Sequence, residues 1–262
     1  MTHLLRIGCC GPARLSLKTY SEKFDLVEIQ SSFYRLPRLE TAQRWRQTVP
    51  RKFEFTLKAF QGITHPAGSP TWRRNARAIQ NVKPEEVGLL RLTDFTRRSW
   101  NETVEVANVL EAKVVVVQMP PSFEGNEANL HRIGEFFGTV ETRMIPAIEF
   151  RHETWEDRLE RVSDLMRGYN GLVVTDPLKM KVPDQLMQYH RLHGTDGFTN
   201  YKHRYSDGEL KQLMSKLGSK ETYVLFNNLG MREDAERFSK LTAAVSNRVG
   251  SDGSMITRHI RF

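Results

Sequence analysis

Eight short apolar segments recur along the chain, and each of them ends in a polar or charged residue at its C-terminal side. Helical patterns separate these segments, as expected where strands and helices alternate. Eight such units predict an α/β fold, a single (β/α)₈ TIM barrel, with reactive groups at the carboxyl ends of the strands. The predicted strands are Leu5–Gly8, Leu26–Gln30, Phe53–Lys58, Val114–Gln118, Ile145–Glu149, Leu172–Asp176, Tyr189–His193 and Thr222–Asn228.

The length of 262 residues matches one barrel, and a hydrophobic fraction of 39% is enough for a substantial core. No repeat or Gly/Ser-rich linker interrupts the chain, so residues 1–262 are predicted to form one domain. The spacing between Lys58 and Val114 is unusually long, which predicts a helical insertion between strands three and four. A capping box formed by Ser99 and Glu102 predicts that a helix begins there.

The sequence lacks the features of a membrane or secreted protein. No apolar run approaches the roughly 20 residues of a membrane span. The N-terminus leads straight into the first strand without a signal-peptide pattern. Cys9 and Cys10 are adjacent, so they form neither a disulfide framework nor a metal-binding knuckle. A cytoplasmic protein with no membrane association is therefore expected, and the role of the two cysteines and the oligomeric state stay open.

The formal charge of +8 favours an anionic partner. Trp72 stands beside Arg73, Arg74 and Arg77, an arrangement that suits the stacking and charge pairing of nucleic-acid surfaces. A place in the core is equally open for Trp72. A solvated basic face is the alternative, and the sequence leaves both open. Further basic clusters are Arg91–Arg98, Lys202–Arg204 and Arg258–Arg261.

Alternation along the predicted strands turns a polar set of residues toward the barrel interior or its mouth. Burial of charge is costly unless the charge is paired, so these residues must pair with one another, meet water or bind a ligand. Three carboxylates and three fixed cations can neutralise each other, which disfavours a bare carboxylate cage for a metal. The set is Glu28, Gln30, Lys58, Gln118, Glu149, Arg151, Asp176, Arg191 and His193.

Several ordered motifs are similar to those of one known family. They are Glu28–Pro37, Ile63–His65, Gln118–Phe123, Glu149–Trp155, Arg191–Gly194 and Phe226–Asn228. Over nearly the whole chain they resemble the YecE-like family, also called domain of unknown function 72. The resemblance implies a barrel related to xylose isomerase-like and endonuclease IV-like proteins, with an activity that is largely unassigned. The chain departs from the family at Cys9–Pro12, where a Thr-Ser-Gly-Trp stretch is usual, and at Gln30, where Asn is usual.

The resemblance and the strand ends together define the candidate site. The candidate catalytic residues are Glu149, His193, Asp176, Glu28 and Lys58. The candidate substrate-binding or anion-binding residues are Arg151, Arg191, His152, Gln118, His65, Asn228 and Tyr34. Glu149, Asp176 and His193 are possible ligands for a divalent metal ion, although the strand ends carry no dense ligand cluster. For Glu149, a structural ion pair with Arg191 or Lys58 is an open alternative.

The site is compatible with more than one reaction. The favoured hypothesis is a hydrolase acting on a phosphate-bearing substrate, including a phosphodiesterase or nuclease that acts on nucleic acid with a metal-generated hydroxide. An isomerase or lyase acting on a phosphorylated small molecule, with Glu149 or His193 as the base, is a second hypothesis. A barrel that binds nucleic acid without catalysis is the third.

Overall fold

The protein is described here from a computed structural model that covers residues 4–256 except 142, 196 and 198, with side chains up to residue 244. Eight parallel strands close into a barrel in chain order, with β8 paired to β1. The strands are β1 (Leu5–Cys9), β2 (Leu26–Ile29), β3 (Glu54–Lys58), β4 (Val114–Gln118), β5 (Ile145–Glu149), β6 (Leu172–Thr175), β7 (Met187–Leu192) and β8 (Glu221–Phe226). The predicted (β/α)₈ barrel is confirmed. The basic tail Arg258–Arg261 lies outside the described residues.

Helices connect most of the strands, with two of them between β3 and β4 and none in residues 176–186 between β6 and β7. They are α1 (Leu17–Ser21), α2 (Leu39–Thr48), α3 (Gln61–Thr64), α4 (Asp94–Leu110), α5 (Glu127–Thr139), α6 (Leu159–Arg167), α7 (Asp207–Lys216) and α8 (Met231–Ile256). The capping box predicted at Ser99 and Glu102 is wrong, because Ser99 lies buried inside α4. The box is formed six residues earlier by Thr93 and Thr96, whose side chains satisfy each other's backbone N–H groups.

The segment between β3 and β4 is the predicted insertion. It holds α3, three short 3₁₀ turns and α4. Its turn Gly88–Leu90 has three successive residues with positive φ and donates three backbone hydrogen bonds of 2.9 to 3.0 Å to the carbonyl groups of Gly62–Thr64. A Cβ on Gly88 would lie 2.4 Å from the backbone of His65, so only glycine fits there. The insertion thereby fixes the position of α3 and of His65.

The strands separate two apolar layers. Val27, Phe55, Leu57 and Ile148 face the helices, as alternation predicted. A second cluster fills the barrel interior below the mouth, and its members are Cys10, Leu26, Val114, Val116, Ala147, Leu172, Val174, Met187, Tyr189, Tyr223 and Leu225. The polar residues at the carboxyl ends of the strands therefore lie next to a layer of apolar side chains in the barrel interior. Among the described residues, none of the helices has the length and apolarity needed to cross a membrane.

Candidate functional site

Arg191 on β7 links opposite sides of the barrel at its mouth. Its Nη2 donates to Glu28 Oε1 on β2 at 2.9 Å, and its Nη1 donates to Glu149 Oε2 on β5. The Tyr189 hydroxyl donates to the other oxygen of Glu28 at 2.8 Å and lies 2.8 Å from Thr56 Oγ1. Arg191 is 1% exposed and Glu28 is fully buried. A buried guanidinium thus joins two buried carboxylates, which satisfies charges that would otherwise destabilise the fold.

Arg151 extends this network at the end of β5. Its Nη2 lies 2.9 Å from Glu149 Oε1 and 2.9 Å from His193 Nε2. His193 Nδ1 lies 3.1 Å from the carbonyl oxygen of Arg191, which can only accept, so the ring proton is on Nδ1 and Nε2 accepts from Arg151. Burial, together with Arg151 and Arg191, holds the pKa of His193 well below its usual range. His193 is therefore a neutral member of the network.

Glu149 is an ion-paired group. Burial opposes its ionisation, but Arg151 and Arg191 outweigh burial, and the pKa of Glu149 is held below its ordinary value. Each of its oxygens accepts a hydrogen bond from one arginine. Of the alternatives left open by the sequence, the geometry matches the structural ion pair with Arg191.

Lys58 lies at the end of β3, outside the ion pairs. Within the described part of the chain, no carboxylate oxygen lies within 4.0 Å of its Nζ. Nζ instead lies 3.8 Å from the centre of the Phe33 ring, and the side chain keeps an exposed fraction of 8%. Burial, aided by the positive charge of Arg191, lowers the pKa of Lys58 to about 7. The amine can therefore exchange a proton near neutral pH.

Asp176 follows β6 and also stands apart from the arginines. Its Oδ1 accepts from the backbone N–H of Leu178 at 3.0 Å, whereas its buried Oδ2 has no hydrogen-bond partner. Burial raises the pKa of Asp176 to about 6. The carboxyl group lines a small cleft at the ends of β5, β6 and β7. Other residues that line this cleft are Arg151, His152, Trp155, Lys179, Met180, Arg191 and His193.

Two of the three predicted metal ligands are already engaged by arginines. Both oxygens of Glu149 accept from arginines and His193 Nε2 accepts from Arg151, whereas Asp176 Oδ2 has no partner. Across residues 4–256, apart from the three that are not described, no three His, Cys, Asp or Glu residues are grouped as metal ligands. The donor chemistry of this mouth is therefore that of an ion-pair network.

Comparison with known proteins identifies the family. The family model described as "Protein of unknown function DUF72" matches residues 10–254. The chain belongs to the DUF72 family. The UPF0759 protein YunF of Bacillus subtilis (strain 168) is 25% identical over 254 residues, which cover 81% of this chain and 80% of that protein. The predicted YecE-like resemblance is thereby confirmed.

Solved DUF72 structures share the barrel. A DUF72 protein of Enterococcus faecalis V583 is 21% identical, with 92% of this chain and 98% of that chain covered and a TM-score of 0.66. One from Thermotoga maritima MSB8 is 21% identical, with 92% and 100% covered and a TM-score of 0.65. More distant barrels include Thermus thermophilus endonuclease IV, 14% identical with 94% and 100% covered and a TM-score of 0.51. Another is the Clostridium cellulolyticum D-psicose 3-epimerase, 10% identical with 93% and 99% covered and a TM-score of 0.53. At these identities the likeness shows the fold.

Four predicted binding residues of this DUF72 chain have contacts or register positions that the structure defines. His65 Nδ1 lies 2.8 Å from Thr64 Oγ1, and burial lowers the pKa of His65 to about 3. Gln118 ends β4 in register with Glu149. His152 Nδ1 accepts from the backbone N–H of Thr154 at 3.3 Å and caps the following turn. Tyr34, the fourth, has its ring against the Arg74 guanidinium at 4.3 Å.

Two predicted residues of the DUF72 chain lie elsewhere. Asn228 donates to His203 O and Asp234 Oδ2, both at 2.7 Å, so its amide is held beside α8 and outside the mouth. The reason is that β8 ends at Phe226, and alternation from Phe226 turns Asn228 toward the helices. Trp72 is 3% exposed, and its Nε1 donates to Pro66 O at 3.0 Å. Its predicted place on a nucleic-acid surface is therefore corrected to a place in the core.

The structure also adds residues that the sequence interpretation missed. Phe33 supplies the ring against Lys58, Tyr189 donates to Glu28 and contacts Thr56, and the Tyr201 ring lies 6.1 Å from that of His193. Tyr189 was accessible to sequence reasoning, because it lies two positions before Arg191 on the same face of β7. Phe33 and Tyr201 lie in loops, where no periodicity indicates the direction of a side chain.

Proposed function

We propose that this DUF72 chain is an acid–base enzyme of the isomerase or lyase class, acting on a small phosphorylated molecule with a carbonyl or hydroxyl group, without a metal ion. One observation carries the proposal. Among the charged side chains that the structure describes at the mouth, Lys58 and Asp176 lie outside the ion-pair network, and burial moves the pKa of each toward neutrality.

Proton transfer is most efficient when the pKa of the acid or base lies near the working pH. Lys58 and Asp176 meet this requirement, whereas the pKa values of Glu149 and His193 are shifted away from neutrality. In this proposal the neutral Lys58 amine removes a proton from a carbon beside a carbonyl group. The protonated Asp176 carboxyl group donates a proton, and the nearby arginines stabilise the negative charge that develops.

The hydrolase hypothesis remains a prediction, with less support from the geometry. A metal-generated hydroxide needs open ligands, and the predicted ligands Glu149 and His193 are engaged by arginines. The likeness to endonuclease IV concerns the fold. A phosphate group is kept in the proposal because a net charge of +8 attracts anions to the protein.

Solvent exchange tests the acid–base function without knowledge of the product. The protein, treated with EDTA, is incubated in D₂O with triose, pentose and hexose phosphates, and deuterium at carbons beside the carbonyl group is followed by NMR. We expect catalysed exchange with at least one compound, at a rate that falls about a hundredfold or more in Lys58→Met and Asp176→Asn.

Exposed residues of the same types provide matched controls. Lys52→Met and Asp157→Asn change side chains at the surface and should leave the exchange rate unchanged. Exchange that disappears with EDTA and returns with Mg²⁺, Mn²⁺ or Zn²⁺ would contradict the metal-independent proposal. Exchange absent from the whole panel, or undiminished in Lys58→Met, would contradict the acid–base function itself.

A second candidate function, nucleic-acid binding, is favoured by one specific surface. We call it the arginine face and define it as Arg35, Arg73, Arg74, Arg77 and Arg98. All five are exposed, and in the described part of the chain none has a carboxylate within 4.0 Å. Arg35 and Arg98 line one groove with Asn75, whose amide donates to Tyr34 O at 2.8 Å. Unpaired arginines on one face suit the phosphates of a nucleic acid.

Salt-dependent binding tests the arginine face. Fluorescence anisotropy with labelled single-stranded DNA and RNA is measured over a salt series for the wild type and for Arg73→Ala/Arg74→Ala/Arg77→Ala. If three phosphates are contacted, the slope of log affinity against log salt falls by about 2 in the variant. Arg158→Ala/Arg161→Ala/Arg167→Ala, which removes arginines paired with Glu127 and Asp164, is the control. Equal slopes in the three proteins would contradict this candidate.

A further inference from the structure

We propose that Lys58 forms a covalent imine with an aldehyde or ketone substrate at the barrel mouth. The proposal rests on the proposed function, because it takes the carbonyl compound to bind there, and it makes Lys58 the nucleophile in place of the proton-transfer base. Three features of the structure carry it: the surroundings of the amine, the support behind it and the face of the barrel on which it lies.

The amine has no competing partner. Nζ lies over the face of the Phe33 ring, 3.8 Å from its centre, and the described residues offer it neither a hydrogen-bond acceptor nor a carboxylate. The nitrogen lone pair is therefore not committed to an ion pair, unlike the guanidinium groups of Arg151 and Arg191. Thr56, two residues earlier on β3, bonds to Tyr189 in the barrel interior, so alternation places Lys58 on the same inner face.

Contacts of the Lys58 backbone and of the Phe33 ring fix the position of the amine. Ser32 Oγ lies 2.6 Å from Lys58 O and 2.8 Å from Ile29 O, which ties the turn after β2 to the end of β3. Phe33 follows Ser32 directly, and its ring makes edge contacts with His65 and Tyr34 at centroid distances of 4.8 and 5.0 Å. The Phe33 ring against Nζ is therefore packed against two other rings. Such support is what a nucleophile needs to meet a carbonyl carbon in one geometry.

Desolvation makes the amine reactive. A primary amine attacks only in its neutral form, and an exposed lysine with a pKa near 10.4 is neutral in roughly one molecule in 2,500 at pH 7. Attraction to the Phe33 ring favours the charged form, but burial and then Arg191 oppose it, and the pKa of Lys58 is lowered to about 7. About half of the molecules therefore carry a neutral amine at neutral pH.

The reaction is balanced without an oxidant or reductant. The Nζ lone pair forms a bond to the carbonyl carbon, and the electrons of the C=O π bond move to oxygen. A proton passes from nitrogen to that oxygen to give a carbinolamine. A second proton allows the hydroxyl group to leave as water, and the nitrogen loses its remaining proton to give the imine. When protonated, the imine withdraws electrons from the neighbouring carbon, which eases removal of its proton.

Reductive trapping tests the imine directly. The full-length protein is mixed at pH 7 with dihydroxyacetone phosphate or glyceraldehyde phosphate and sodium cyanoborohydride, which reduces an imine to a stable secondary amine. Intact-mass spectrometry should show one adduct per chain, and peptide mapping should place it on Lys58. Labelling of Lys58 at pH 7 should be at least about a hundredfold faster than labelling of the exposed lysines, because of the larger neutral fraction.

Variants separate the imine from the proposed function. Lys58→Met and the charge-conserving Lys58→Arg should lose the fast adduct, while Lys52→Met should keep it, with circular dichroism as the check on folding. An equal rate of adduct formation in wild type and Lys58→Met would overturn the imine. Deuterium exchange that requires Lys58 without any fast adduct would also overturn the imine, and it would leave Lys58 as a proton-transfer base.

Discussion

The centre of the mouth and its two flanks use buried charge in opposite ways. At the centre, Arg191 joins Glu28 to Glu149, and Arg151 completes the network. At the flanks, Lys58 and Asp176 are buried without such partners. Burial lowers the pKa of Lys58 to about 7 and raises the pKa of Asp176 to about 6, so that the neutral form of each is favoured. Burial of a paired charge gives structure, whereas burial of an unpaired one gives a group that exchanges protons near pH 7. Residues equally polar in sequence thus have different roles.

Removal of the central cation is expected to produce the largest effect. Arg191→Ala leaves Glu28 and Glu149 buried without their shared partner and should lower the free energy of unfolding by about 3–5 kcal/mol. Urea unfolding followed by circular dichroism measures the change. The exposed Arg167→Ala, within about 0.5 kcal/mol of wild type, is the control. A loss below about 1 kcal/mol for Arg191→Ala would mean that the centre does not hold the barrel together.

Lys58→Met sharpens the comparison, because removal of an unpaired charge should stabilise the fold. The folded-state pKa of Lys58 is depressed, so its contribution to stability is present above the unfolded pKa and is lost as the pH falls toward 7. Between pH 6 and pH 10 the wild type should gain roughly 4 kcal/mol relative to Lys58→Met. Urea titrations across this range measure the difference. A constant difference would show that the amine is fully charged in the folded protein.

Asp176→Asn should show the opposite dependence on pH. The folded-state pKa of Asp176 is raised to about 6, so its contribution is present below the unfolded pKa and is lost as the pH rises through 6. From pH 4 to pH 7 the wild type should lose about 2 kcal/mol relative to Asp176→Asn. Thermal unfolding across this range, with Asp157→Asn as the exposed control, measures the effect. Parallel curves for wild type and Asp176→Asn would place Asp176 among the ordinary carboxylates.

Tyr189→Phe tests the edge of the central network with the smallest expected change. It removes the hydroxyl group that donates to Glu28 and contacts Thr56, while Arg191 still pairs with Glu28. We expect a loss of about 1–3 kcal/mol in the free energy of unfolding and an unchanged pH of half-maximal imine trapping. A shift in that pH would show that centre and flank are coupled.

The strand pattern predicted the barrel and the inward faces of Glu28, Glu149 and Arg191, because alternation is a local property of each strand. Pairing is not local: Arg191 reaches carboxylates 163 and 42 residues away in the chain. The isolation of Lys58 depends on Phe33, a loop residue whose direction has no periodic signal. The predicted helix start at Ser99 was wrong by six residues, because the pattern Ser-x-x-Glu occurs inside α4 whereas the capping box lies at Thr93 and Thr96.

The apolar cluster beneath the mouth restricts access to the site to one side of the barrel. Side chains such as Val114, Val116 and Leu225 fill the barrel axis, so nothing passes through to the amino-terminal side. The mouth is therefore open on one side, and a bound molecule would enter and leave by the same path. In the proposed reaction, the water released in imine formation and the product would leave by the path through which the substrate enters. Exchange of product for substrate through this one opening would then be a step of every turnover.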